Sequence, residues 1–306
     1  ASANCALYCG ARVDFVDIDR ETGNMSVERL ADKLAAARRA GQLPKVVIPV
    51  HLCGQSCDMA AIHALAQEYG FRIIEDASHG IGGHYLGAPL GSCRYSDITV
   101  FSFHPVKIVT TAEGGMALTN DVRLYDRLQR HRSHGITSDR SHMLPRPAEE
   151  IWNYQQVYLG YNYRMTDIQA ALGISQMSKL DAFVKRRREI AARYDAAFAA
   201  MPVVTLRQHP DSASSYHLYP VRIRHSLCGK TQREVYDALW KVDIAVNLHY
   251  IPVYRQPYYE AMGFKAGYCP EAESYHRETI SLPMYPGLTE AQQEYVLAAL
   301  QEALSG

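Results

Sequence analysis

The sequence predicts an α/β fold, with a mainly parallel sheet in a large domain over residues 1–200 and a smaller C-terminal α+β domain over residues 201–306. Strand-like and helix-like patterns alternate with short connections from residue 13 to residue 75, as expected of parallel strands joined by crossover helices. Apolar runs ending at Asp76 and Phe103 give way to residues with reactive side chains, as strands of an open sheet do at their carboxyl ends. Beyond Met201-Pro202 the texture changes to short strands and capped helices.

Size and charge narrow the function before any motif does. A chain of 306 residues can bury a sizeable core and divide in two. Lys plus Arg and Asp plus Glu each number 32, so no electrostatic footprint for nucleic acid or an anionic membrane exists, and small molecules are the expected ligands. No apolar run approaches the roughly 20 residues that span a bilayer, and the first residues lack a basic-then-apolar secretory signal. The chain therefore reads as cytoplasmic. Its seven cysteines, with Cys5/Cys9 and Cys53/Cys57 each separated by three residues, fit reduced thiols better than a disulfide framework or a zinc site. The opening stretch Ala-Ser-Ala-Asn-Cys-Ala-Leu-Tyr has a helical pattern and reads as the continuation of an upstream segment.

In chain order, a strand is expected over 13–18, a helix over 26–40, a strand over 45–50, a helix capped by Asp58 and a strand over 72–75. Gly80-Ile81-Gly82 is no dinucleotide fingerprint, because Tyr85 stands where the third glycine belongs and no helix pattern follows. The β-branched and aromatic run 99–103 is a buried strand ended by His104 and Pro105, and a further strand resumes over 116–119. A helix from Asn120-Asp121 to about residue 132 and a polar loop over 138–150 follow. His131, His134 and His142 fit no standard metal-ligand spacing. From Thr166 one long interdomain helix is expected, with Ile168, Leu172, Met177, Leu180, Phe183 and Val184 along its apolar stripe and Arg186 to Arg188 on its wet face. In the last third, strands over 217–223 and 244–248 alternate with helices capped by Thr231/Glu234 and Thr289/Gln292.

The chemistry converges on two strand ends. Lys107 lies between Val106 and Ile108, where an ammonium loses hydration, so its pKa falls toward the range in which a free amine attacks a carbonyl; the alternative is a lysine that merely snorkels from a strand end. Asp76 closes the apolar run Phe-Arg-Ile-Ile-Glu-Asp, and a carboxylate buried there needs a positive partner. A protonated pyridine nitrogen would serve, and a Schiff-base lysine paired with an acid facing the ring nitrogen is the arrangement used with pyridoxal 5′-phosphate (PLP).

The runs Glu-Asp-Ala-Ser-His-Gly-Ile-Gly-Gly at 75–83, Phe-Ser-Phe-His-Pro-Val-Lys with Glu-Gly-Gly at 101–115, and Gly-Tyr-Asn-Tyr-Arg-Met-Thr-Asp-Ile-Gln-Ala-Ala-Leu-Gly at 160–173 resemble the DegT/DnrJ/EryC1 family of PLP-dependent nucleotide-sugar aminotransferases. The likeness covers nearly the whole chain and implies a fold-type-I PLP-dependent transferase whose upstream Ser-Gly-Thr phosphate loop is absent from this sequence. It further implies that Lys107 carries PLP as a Schiff base and moves the proton, that Asp76 keeps the ring nitrogen protonated, and that His79 reaches the ring face or its phenolate oxygen. Ser102 would hold the phosphate, joined by Asn162 from the partner subunit, so that a homodimer shares its active sites. Segments 51–59, 215–219 and 249–253 are most similar to the branch of pseudaminic acid biosynthesis. That branch implies transfer of an amino group from L-glutamate to the 4-keto group of a UDP-linked 2-acetamido-2,6-dideoxy-hexos-4-ulose. The alternatives are a sibling acting on another nucleotide-linked keto-sugar, a PLP-dependent sugar dehydratase, against which Lys107 argues because such enzymes carry histidine there, and a non-catalytic relative. Ala112 departs from the glycine usual before Glu113-Gly114-Gly115, His131 replaces an apolar residue, and Tyr254 stands near the expected sugar site where relatives often have histidine.

Overall fold

The computed structural model describes residues 1–145 and 152–305, so the expected loop over 138–150 lies partly outside the described residues. The central sheet has the order β1 (Val46–Val47), β2 (Arg72–Asp76), β3 (Ile98–Ser102), β4 (Gly115–Leu118). β1, β2 and β3 are parallel and β4 returns antiparallel to β3, giving the mixed, mostly parallel sheet expected. Asp76 pairs with Val100 and Ser102 with Gly115, so both carboxyl ends open on the same edge. Helix α3 (Met59–Tyr69) carries the crossover from β1 to β2, and together with α2 (Val27–Arg39), which precedes β1, it covers one face through Leu30, Leu34, Ile62 and Ala66. Ser26 caps α2 and Asp58 caps α3, each accepting the amide three residues on.

After helix α4 (Val122–Arg132) the chain enters α5 (Asp167–Met177) and α6 (Leu180–Phe198). A second sheet follows, antiparallel in the order β7 (Thr279–Leu282), β6 (Tyr219–Ile223), β5 (Val203–Thr205). It packs with α6, α7 (Gln232–Lys241) and α9 (Glu290–Ser305) around Ile190, Tyr194, Val221, Leu239, Ile280 and Leu300. At about 1.5–3 kcal/mol for each large apolar side chain removed from water, this cluster is a substantial source of stability. Both capping boxes form: Thr231 exchanges hydrogen bonds with Glu234, and Thr289 with Gln292. Among the described residues no helix is long and apolar enough to cross a membrane.

Four expectations are corrected. Residues 13–18 join no ladder beyond the bridge from Ile18 to Met25; the Phe15 and Ile18 amides donate instead to the carboxylates of the preceding Asp14 and Asp17. Lys33 Nζ donates to the Phe15 carbonyl, and Asp17 accepts the Glu271 and Ala272 amides at the start of helix α8 (Pro270–Glu278). Residues 244–248 alternate inward and outward as a strand does, with Ile244 and Val246 buried, yet only Asn247 bridges to Ser281. The single long helix from Thr166 is two. Ser178 Oγ donates back to the Ser175 carbonyl at 2.9 Å and Lys179 widens to φ −105°, ψ −2°, a local competition that bends or breaks a helix. The stripe divides with it: Val184 is buried, whereas Ile168 is 84% exposed. Arg187, expected on the wet face, is 5% exposed and donates through Nη1 to the carbonyls of Tyr216, His217 and Met284.

Ala112 holds φ +64°, a left-handed conformation that costs a non-glycine residue about 1–2 kcal/mol. Ala112→Gly is therefore expected to raise stability by ~1 kcal/mol, read as a higher urea midpoint at unchanged slope.

Candidate active site

The alternation of β2 turns Ile73 and Glu75 into the core and leaves Asp76 half-buried at its end. Asp76 Oδ1 accepts the Ser78 amide at 3.0 Å and Oδ2 accepts the Ser2 hydroxyl of helix α1 (Ser2–Tyr8). Burial pushes this carboxyl up, but the hydrogen bonds from Ser2 and Ser78 outweigh it and hold Asp76 below the usual carboxylate range.

Lys107 sits in the turn after β3, its amide bonded to the His104 carbonyl at 2.9 Å, beside the buried Ile108 and Val109. Burial lowers its pKa, and Asp76, near enough to act on it, opposes the shift. A lysine and a carboxylate thus share one partly desolvated edge. His79 lies with them, 7% exposed. Its Nδ1 accepts the Cys53 amide at 3.3 Å and its Nε2 lies 3.4 Å from Tyr250 Oη. Burial, then the positive charges of Lys107 and His249, push its pKa down to about 3 against the pull of Asp76, so the ring is neutral at physiological pH.

Ser102 stands at the carboxyl end of β3, its Oγ accepting the His104 amide at 3.4 Å. Asn162 is exposed, between Tyr161 and Tyr163, whose rings stack at 4.7 Å and 12°. Its segment docks by backbone bonds onto residues 131–134, and it makes no described contact with Lys107, Asp76 or His79. The structure thus brings together Lys107, Asp76 and His79, with Ser102 on the neighbouring strand end, and leaves Asn162 facing outward. Tyr254, expected near the sugar site, is instead a core residue, 2% exposed, with its hydroxyl on Glu273 at 2.7 Å. Gly80 to Gly83 are packing residues: a Cβ on Gly82 would lie 2.6 Å from Val184 Cγ2 on α6.

Sequence reasoning gave no role to several groups found here. Glu75 Oε2 lies 2.7 Å from Nε2 of the fully buried His51, while Glu75 Oε1 accepts Ser96 and Thr99 hydroxyls. The period-two alternation of β2 already pointed Glu75 inward, which was the available signal. His217, 5% exposed, packs on His79, and His249 Nδ1 lies 2.8 Å from Ser281 Oγ. Nothing in local pattern marks these histidines.

Residues 1–301 match the DegT/DnrJ/EryC1/StrS aminotransferase family. The chain belongs to this family. Among curated DegT relatives, the spore coat polysaccharide biosynthesis protein SpsC of Bacillus subtilis is 36% identical over 309 residues, spanning 100% of this chain and 77% of SpsC. The UDP-4-amino-4,6-dideoxy-N-acetyl-beta-L-altrosamine transaminase of Campylobacter jejuni is 33% identical over 298 residues, 97% of this chain and 74% of the relative. Among solved structures, Helicobacter pylori PseC, an aminotransferase of pseudoaminic acid biosynthesis, superposes with a TM-score of 0.86 at 27% identity, covering 99% of this chain and 76% of PseC. Spr1654 of Streptococcus pneumoniae superposes in its PMP- and PLP-forms with TM-scores of 0.85 and 0.83 at 29% identity, covering 99% of this chain and 78% of Spr1654. The fold is that of the PLP-dependent sugar aminotransferases, and DegT aminotransferases use PLP. The donor set at the sheet edge fits that cofactor: an amine biased toward its neutral form, an ionised carboxylate and a neutral imidazole.

Because burial disfavours its charged form, Lys107 should lose its proton at a lower pH than exposed lysines. Competitive acetylation across pH, read by mass spectrometry, should show this, and Asp76→Asn should move the midpoint lower still by removing the charge that opposes the shift.

Proposed function

We propose that this sugar aminotransferase moves an amino group from L-glutamate to the 4-keto group of a UDP-linked 2-acetamido-2,6-dideoxy-hexos-4-ulose, in pseudaminic acid biosynthesis. The aminotransferase chemistry rests on one observation above all, the partly desolvated Lys107 within the field of Asp76 in a chain of this family. The particular sugar is supported by the likeness to the Campylobacter transaminase and to PseC. A sibling reading, another nucleotide-linked keto-sugar for polysaccharide assembly, is favoured by the higher identity to SpsC.

In this reading PLP supplies an electron sink that makes a carbon-bound proton removable. Lys107 Nζ binds the cofactor and afterwards moves the proton at the reacting carbon. The Asp76 carboxylate, oriented by Ser2 and Ser78, holds a proton on the ring nitrogen. His79 donates from Nε2 to the ring oxygen, and Ser102 donates its hydroxyl proton to the phosphate. Asn162 of a second copy adds an amide donor there, which makes the functional unit a homodimer. The exposed Trp152, Tyr154, Leu159, Tyr161, Tyr163 and Ile168 in the stretch of chain that carries Asn162 support a covered surface of that kind.

Assay of a panel of UDP- and dTDP-linked 4-keto-sugars with L-glutamate tests the substrate, and turnover confined to other sugars overturns the pseudaminic assignment. Lys107→Ala should lose transamination altogether while keeping its unfolding midpoint, and Asp76→Asn should lower turnover by about 10²–10³-fold, as removal of a fixed electrostatic partner does. Near wild-type turnover in either variant would sink the role given to that residue. Mixed with Lys107→Ala, an inactive Asn162→Ala variant should regain part of the wild-type activity, because one of the two sites then has both groups intact. Absence of complementation removes the shared site.

A further inference from the structure

Beside His79 a second buried imidazole, His217, takes no part in the reading above. Their ring centroids are 4.4 Å apart at an interplanar angle of 44°. The loop that carries His217 is tied to the loop beneath His79 at Cys53 and Gly54. Cys53 donates its amide proton to His79 Nδ1 at 3.3 Å, while its carbonyl accepts the His217 amide at 2.8 Å. Ser215, fully buried, donates from Oγ to the His79 carbonyl at 3.0 Å and from its amide to the Gly54 carbonyl at 3.1 Å. Gly54 holds φ +97°, and a Cβ there would stand 2.4 Å from Ser215 Oγ, so the two loops meet at a distance that only glycine allows.

This arrangement fixes a proton. An N–H aimed at Nδ1 requires that nitrogen to offer its lone pair, so the proton of the neutral ring sits on Nε2, the atom turned toward Tyr250 Oη. The charged and titratable groups around the ring are Lys107, His249, His217 and Tyr250, with Asp76 the one carboxylate acting on it. His217 Nδ1 has no hydrogen-bond partner among the described residues, and the ring meets His79 through the tilted 4.4 Å ring contact.

We propose that His217 is a positioning residue, whose ring is the wall that keeps His79 turned so that the Cys53 amide holds Nδ1 and the Nε2 proton faces the site. The inference deepens the reading of the site as a PLP cradle and rests on it only for its consequence, a proton offered to the ring oxygen of the cofactor.

The test uses His217→Ala, which removes the wall, and His217→Phe, which keeps it. Nitrogen NMR of ¹⁵N-histidine-labelled protein without cofactor, with His79 assigned by its absence in His79→Gln, reads the tautomer directly. Wild type and His217→Phe should show a single Nε2-protonated His79, and His217→Ala a mixture of tautomers. With PLP bound, a donor to the phenolate oxygen favours the deprotonated lysine linkage. The pH midpoint of the visible absorbance band should therefore rise by about one unit, a tenfold change, in His217→Ala and stay near wild type in His217→Phe. A wild-type tautomer in His217→Ala, or a mixture in His217→Phe, overturns the proposal. The expected tautomers with an unmoved midpoint uphold the positioning role and overturn the assignment of His79 to the cofactor.

Discussion

The carboxylate-imidazole pair of Glu75 and His51 fixes the sheet edge on which the site is built. Glu75 is 4% exposed and takes hydrogen bonds from His51, Ser96 and Thr99, which outweigh the cost of burial and keep its carboxyl below the usual range. His51 in turn accepts the Cys57 amide on Nδ1 and donates its own amide to the Asp76 carbonyl, while the Asp76 amide donates to Pro49. A buried pair of this kind adds little net stability, yet removal of one partner typically costs 3–5 kcal/mol because the other is left unanswered. The segment before β2, the strand itself and the start of β3 are thereby held in one arrangement, and Asp76 occupies the place that arrangement dictates.

Upon that edge the electrostatics are graded. Asp76 is kept ionised by short-range donors, Lys107 is biased toward its neutral form by loss of water, and His79 is kept neutral between the two. Each group acts on the next, so the bias at Lys107 depends on a charge that Ser2 and Ser78 maintain. Lys107 and Asp76 are both biased toward the deprotonated form, which is uncharged in the amine and charged in the carboxylate: burial supplies the first and selective hydrogen bonding overrides burial to supply the second.

How far this was legible in the sequence follows from where each signal lies. Lys107, Asp76, His79 and Ser102 sit at the ends of two apolar runs, and strand ends are readable because periodicity and proline mark them. The parallel pairing of β1 with β2 follows from the strand-helix alternation, whereas β2 reaches β3 through a connection without a helix, which that alternation does not mark. Residues 13–18 and 244–248 read as strands because an extended pattern specifies side-chain direction and not a partner; in the fold Lys33 and the Asp14 and Asp17 carboxylates take up backbone groups of the first, and a single bridge holds the second. The break at Ser178 depends on a hydroxyl turning back on its own helix, which no stripe of apolar residues records. The Glu75–His51 pair and the His79–His217 contact join residues 24 and 138 positions apart, and only the tertiary fold brings them together.

Arg186 to Arg188 could not all face water on a helix that turns about 100° per residue, and Arg187 is the one that points inward. Its cation is answered by three carbonyl dipoles and by no carboxylate among the described residues. Burial brings its pKa down only to about 10, so from acid to mildly alkaline conditions neither side of this joint changes charge. A guanidinium-carboxylate joint would weaken as its acid took up protons. Here α6 stays fastened to the His217 loop and to the end of the second sheet with a strength that acidification does not touch, and acid sensitivity in this molecule falls instead on its carboxylate-held contacts.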